Sequence, residues 1–245
     1  MNEKPESEEF DEDEEEVAFE ATSEVDFDRL AKDLDAAKKR GQKLGDPAWR
    51  IVALLTCITN EYERISMHGV RREILHAQAQ RLKLPLIAVR LPAQASNAIY
   101  ESAFSQALDQ ARALSPDLNT IAFGDLHLAD VRAYRERLLG PLNWNAHFPL
   151  WGEDTDKLAQ RFISDGFRAA LCCVDTQQLG AEFCGREFDA HLLADLPPAC
   201  DPCGENGEFH TCVYACPMWS EPLRLQHGEK QLRNDRFEYV DIKML

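Results

Sequence analysis

The chain has 245 residues, 44% of them hydrophobic, and a formal charge of −16. That length carries one large domain or two small ones with real cores. The acidity is local: residues 1–26 hold 13 acidic residues and one Lys, whereas the remainder sets 30 acidic against 26 basic residues. A near-neutral globule without a basic stripe gives no electrostatic case for nucleic acid as a partner. No run of about 18 apolar residues occurs, so no membrane span is expected. The start, Met-Asn-Glu-Lys-Pro-Glu, is the opposite of a secretory leader. Together with eight cysteines, this points to a reducing, cytoplasmic setting with free thiols.

Residues 1–26 read as an acidic disordered tail, because like charges repel and little apolar surface is available to bury. Phe27, Leu30, Ala31, Leu34, Ala37 and Leu44 fall near helical spacing and predict an amphipathic helix over 27–44. Gly45-Asp46-Pro47 breaks it. Ile51–Cys57 is a continuous apolar run, typical of a strand buried on both faces. A polar loop at 60–69 precedes a helix over 70–82 and a second strand at Leu86–Leu91. A helix over Ala98–Leu114 and a third strand at Thr120–Phe123 follow, then a helix carrying Asp130, Arg132 and Arg135. This alternation predicts an α/β fold with a parallel, Rossmann-like sheet.

Phe148-Pro-Leu-Trp-Gly152 reads as a connector, so the domains are set at 27–148 and 149–245. The second holds a helix at Thr155–Gly166, a strand at Phe167–Val174, a short helix before Pro197, and strands at Thr211–Cys216, near Leu223–Leu225 and at Phe237–Ile242. A smaller α+β domain is expected.

The densest group of reactive side chains is Asp201-Pro-Cys-Gly-Glu-Asn-Gly-Glu-Phe-His-Thr211. Gly204 and Gly207 permit tight turns. Glu205 and Glu208 are candidate general bases or cation-orienting groups, with helix or loop capping as the plain alternative. His210 is a candidate base, although a histidine entering a strand is more often simply hydrogen-bonded. Asp125 follows the third strand, where ligands of open α/β sheets bind; it is a candidate for Mg²⁺ or a substrate amine, or a turn residue. His68 lies in a loop after a strand, where nucleotide contacts are plausible. Arg132 and Arg135 can reach a phosphate or form helix-surface ion pairs. Cys200, Cys203, Cys212 and Cys216 offer a thiol set for zinc. Cys212 and Cys216 would stand about 13 Å apart along an extended strand, which argues against one ion.

Thr-Ile-Ala-Phe-Gly-Asp-Leu (120–126), Asp-Val-Arg-Ala-Tyr-Arg-Glu (130–136), Phe-Pro-Leu-Trp-Gly (148–152), Gly-Arg-Glu-Phe-Asp (185–189) and the 201–211 loop together resemble the diphthine–ammonia ligase family. Glu61–Val70 resembles a further family segment. The likeness is to the bacterial branch and covers Asp46 to about Ile242. It implies ATP pyrophosphatases of the nucleotide α-hydrolase type, with an adenine-nucleotide-binding domain and a smaller C-terminal domain. It implies ATP with Mg²⁺, activation of a carboxylate as an acyl-adenylate, pyrophosphate release, and amidation by ammonia. The carboxylate belongs to a small molecule or a modified protein side chain, and a homo-oligomer stays open. The implied nucleotide side is Thr56, His68, Gly124, Arg132 and Arg135. The implied substrate side is Gly204, Asn206, Gly207, His210 and Thr211, with Asp125, Glu205 and Glu208 as catalytic candidates.

One family element is absent from the 245 residues. No Ser-Gly-Gly-Lys-Asp-Ser loop occurs, and no glycine precedes Gly41. Gly41-Gln-Lys-Leu-Gly45 ends a predicted helix, where the dipole has the wrong sign for phosphate. Either pyrophosphate binding is lost and the protein is a binding protein, or the loop is encoded outside this reading of the gene; a substitute segment is a third reading. A missing first strand would leave a central gap in the parallel sheet.

Overall fold

A computed structural model describes residues 49–245. The acidic tail and the helix expected at 27–44 lie outside the described residues. The chain is α/β, with parallel strand pairs in its first part and an antiparallel sheet in its last.

Strand β1 (Leu54–Thr59) pairs in parallel with β3 (Leu86–Leu91), from Leu54 opposite Leu86 to Thr59 opposite Leu91. The expected strand began at Ile51. The ladder starts three residues later because the first available partner is Pro85, whose carbonyl accepts from the Leu54 N–H at 2.9 Å. Within the expected polar loop, a two-residue strand β2 (Arg64–Ile65) folds back on the end of β1. Helix α1 (Arg72–Leu82) makes the crossover from β1 to β3. Helix α2 (Asn97–Leu114) buries Tyr100, Phe104, Ala107, Leu108 and Ala111, the i, i+4, i+7 stripe of an amphipathic helix.

Strand β4 (Thr120–Ala122), helix α3 (Ala129–Leu139) and strand β5 (Asn145–His147) form a second parallel unit. The β1–β3 and β4–β5 pairs present their other edges to a cavity of about 100 Å³, lined by Ala53, Leu55, Thr120, Ala122, Trp144 and His147. Among the described residues, no strand joins the two pairs. Trp49 stacks on His147 at the same cavity, with centroids 4.7 Å apart.

The last part begins with α4 (Thr155–Ser164), capped by Asp154 through the Lys157 N–H. A four-stranded antiparallel sheet follows in the order β7-β6-β9-β8. Its strands are β6 (Arg168–Asp175), β7 (Phe209–Ala215), β8 (Leu225–Arg233) and β9 (Phe237–Met244). Helix α5 (Ala190–Asp195) is capped by Asp189. Every residue of β6 after Arg168 is buried, which is why its sequence shows no apolar–polar alternation.

Two cores result, and β1 feeds both. Cys57 joins β3, α2 and Trp144, whereas Ile58 joins Ile74 and Leu75 of α1 with β6, β7 and β9. Successive strand residues face opposite sides, so neighbours serve different cores. Asp241 on β9 clamps the two parts further. It accepts from Arg71 Nε and Nη2, both at 2.8 Å, and from Arg64 Nη2 at 2.8 Å. Among the described residues, no helix is long and apolar enough to cross a membrane.

Candidate functional site

A cavity of about 230 Å³ lies where the two parts meet. The first part contributes Thr56 of β1, His68, Gly124 and Asp125 beyond β4, and Arg135 of α3. The last part contributes Gly204, Glu205, Gly207, His210 and Thr211. Residues far apart in sequence thus share one chamber.

The 201–208 loop is built from its own carboxylates. Asp201 Oδ1 accepts from the Cys203 N–H at 2.7 Å, turning the chain locally. Gly204 has φ +73°, and a side chain there would meet the Phe209 carbonyl at 2.7 Å. Glu208 is 2% exposed. Its Oε1 accepts from the Asp201 N–H at 2.7 Å and from Asn206 Nδ2 at 3.0 Å, and its Oε2 from the Asn206 N–H at 3.0 Å. Glu208 therefore holds the loop closed rather than facing the cavity, as does Asn206.

Glu205, three residues earlier, points across the cavity. Its Oε1 accepts from the Leu126 N–H at 2.6 Å and the His127 N–H at 3.3 Å, both in the segment between β4 and α3. Burial pushes its carboxyl up to about 7; the two N–H groups oppose the rise and nearby Asp125 adds to it. A carboxyl balanced near neutral pH is suited to accept and return a proton.

Asp125 and Arg135 are consumed by each other. Arg135 Nη2 donates to Oδ1 at 2.9 Å, and Nε lies 2.7 Å from Oδ2, with both side chains nearly buried. The Arg135 guanidinium also covers the Phe123 ring at 4.0 Å. Arg132 does not line the cavity. It donates to Glu136 at 2.9 Å and packs over Phe148 and Trp151. The His68 and His210 rings lie in contact, tilted by 34° with centroids 4.3 Å apart, and both are on the cavity wall. Burial, with His68 beside it, drives His210 well below the usual imidazole range, so it is neutral at pH 7.

The thiols do not form a metal centre. Among the described residues, no group of three or more His, Cys, Asp or Glu side chains could hold an ion. Burial pushes Cys200 and Cys212 up to about 12, which leaves both as unreactive thiols. Beyond the sequence-based candidates, the cavity is lined by Gln78, Arg161 and Trp219. Arg161 sits in an amphipathic helix where an arginine reads as surface, so the sequence carries no signal for it.

Thr56, within β1, and Gly124, just beyond β4, line the cavity. The described residues do not fit a magnesium triphosphate. Among them no lysine lines the cavity, Arg135 is already paired, and no three-ligand set exists.

Residues 154–244 match the family model of the diphthamide synthase C-terminal domain. A diphthine–ammonia ligase of Schizosaccharomyces pombe is 23% identical over 184 residues, covering 69% of this chain. The chain spans 30% of the length of that relative. The family-model match includes the 201–211 loop.

Proposed function

We propose that the chain is an amide-forming ligase of the diphthine–ammonia ligase type, with 149–245 as its substrate-side domain. The observation that carries this reading is Glu205. It reaches from the loop of one part to the backbone N–H groups of the other, faces the cavity, and has a carboxyl balanced near pH 7. In this reading, ATP activates a substrate carboxylate and ammonia supplies the nitrogen. We assign to the described residues only the amidation half. As the nitrogen bonds to the acyl carbon and the activating group leaves, the Glu205 carboxylate takes the proton that nitrogen sheds. Neutral His210 offers an uncharged polar edge to the same ligand, with His68 beside it on the cavity wall. Asp125 orients the chamber through Arg135. No step of the activation half is assigned, since the described residues do not fit a magnesium triphosphate.

A second reading is a binding protein that keeps the substrate chamber without turnover. It is favoured by the absence, among the described residues, of a lysine on the cavity wall and of a strand joining the β1–β3 and β4–β5 pairs. The experiment that separates the two incubates the full chain with ATP, Mg²⁺, ammonium and a panel of carboxylates. Carboxylate-dependent release of AMP and pyrophosphate supports the ligase. Carboxylate binding by calorimetry without any ATP turnover supports the binding protein.

A further inference from the structure

The Arg161 side chain is 39% exposed, but two of its nitrogens, Nε and Nη2, are shielded from water and meet no acceptor among the described residues. Buried guanidinium N–H groups without acceptors are costly, and each such group asks for a partner. The third nitrogen, Nη1, points toward Glu153 Oε2 at 3.8 Å, too far for a hydrogen bond. Arg161 lines the large cavity beside Leu158, Ala159 and Phe162 of the same helix. Trp219 lines it too, and its Nε1 is a further buried donor without an acceptor.

Which nitrogens are unused is informative. Nε and Nη2 form the side-on edge of a guanidinium, whose two parallel N–H groups match the two oxygens of a carboxylate. Arg135 sets this edge against Asp125, with Nη2 2.9 Å from Oδ1 and Nε 2.7 Å from Oδ2, and two further arginines use it in the same way. Arg71 places Nε and Nη2 on Asp241 at 2.8 Å each, and Arg236 places the same pair on Asp175 at 3.1 and 2.9 Å. Arg161 carries the same fork with no carboxylate among the described residues to fill it.

We propose that Arg161 is the anchor of a carboxylate-binding subsite in the cavity, for a ligand whose carboxylate is carried on an apolar body. Trp219 Nε1 supplies an additional donor on the same wall. The apolar body is set by Leu158, Phe162 and Met218, which line the same cavity. The subsite rests on the amide-ligase reading in one respect, that it lies in the same cavity as Glu205. It is tested without ATP, so its failure and the failure of that reading are separable.

The test titrates the full chain with hexanoate, hexanamide and inorganic phosphate while recording arginine side-chain Nε–Hε resonances by NMR. The Arg161 resonance is identified by its loss in Arg161→Lys. A saturable downfield shift of that resonance with hexanoate, absent with hexanamide and phosphate, is expected. Arg161→Gln should weaken hexanoate binding about tenfold or more. Arg161→Lys, which keeps the charge but not the fork, should weaken it by a smaller factor, with the thermal melt unchanged. Equal shifts with hexanamide, a shift with phosphate alone, or undiminished hexanoate binding in Arg161→Gln would overturn the proposal. If Arg161→Gln does not fold, the wild-type titration and Arg161→Lys decide the matter.

Discussion

Replacing Glu205 by Gln should make the protein more stable and less active. The carboxyl of Glu205 is pushed from the ordinary 4.5 to about 7, chiefly by burial. The folded state therefore holds a proton that the unfolded chain releases. The stability tied to that proton is fully present below about pH 4.5 and is lost as pH rises through about 7. A rise from 4.5 to about 7 corresponds to about 3 kcal/mol. Gln is neutral at every pH and its oxygen can still accept from the Leu126 N–H. Glu205→Gln should then match the parent below pH 4.5 and exceed it by up to about 3 kcal/mol at pH 8. For a protein of this size, that is roughly 6–12 °C in Tm. Urea unfolding of both proteins at pH 4.5, 6 and 8 reads it directly. In turnover, the same substitution should cost about 10²–10⁴-fold and remove a pH dependence centred near 7. A stability difference that is constant across pH would show that Glu205 is not carrying a displaced proton.

Other outcomes follow from the same contacts. Asp125→Ala leaves the buried Arg135 charge without its partner and should cost about 3–5 kcal/mol in urea unfolding. Gly204→Ala forces a side chain toward the Phe209 carbonyl at a φ of +73°; about 1–3 kcal/mol of destabilisation is expected, with faster proteolysis within 201–208. Arg71 and Arg64 hold the Asp241 carboxyl well below the usual carboxylate range. The stability it contributes is present above about pH 3.8 and lost as pH falls below it. Asp241→Asn should therefore be less stable than the parent at pH 7 by about 1–2 kcal/mol, with the gap closing toward pH 2.

Much of the fold is legible wherever one segment decides its own pattern. The apolar run at Leu86–Leu91 and the stripe Tyr100, Phe104, Ala107, Leu108, Ala111 announce β3 and α2 without help from elsewhere. Strand β5, Asn145–His147, does not announce itself, because its pairing is imposed by β4 and three residues carry no period. Strand β8 is nearly all exposed along Leu225–Arg233, so its sequence lacks an apolar face to read. At the site, the density of groups in 201–211 identifies the loop. It does not distinguish Glu205 from Glu208. The two carboxylates are chemically alike, and only the turns at Gly204 and Gly207 send one into the cavity and fold the other onto its own backbone. Arg132 and Arg135 differ for a similar reason: one helical position faces Asp125 in the interior, and the other faces Glu136 on the surface.

Amide formation from an activated carboxylate in this chamber is decided by supplying the full chain with ¹⁸O-labelled carboxylates, ATP, Mg²⁺ and ammonium. The expected result is ¹⁸O transfer from the carboxylate into AMP, with amide appearing in step and Glu205→Gln slowing the amide. AMP free of label, or no ATP consumption with any carboxylate that binds, would contradict it.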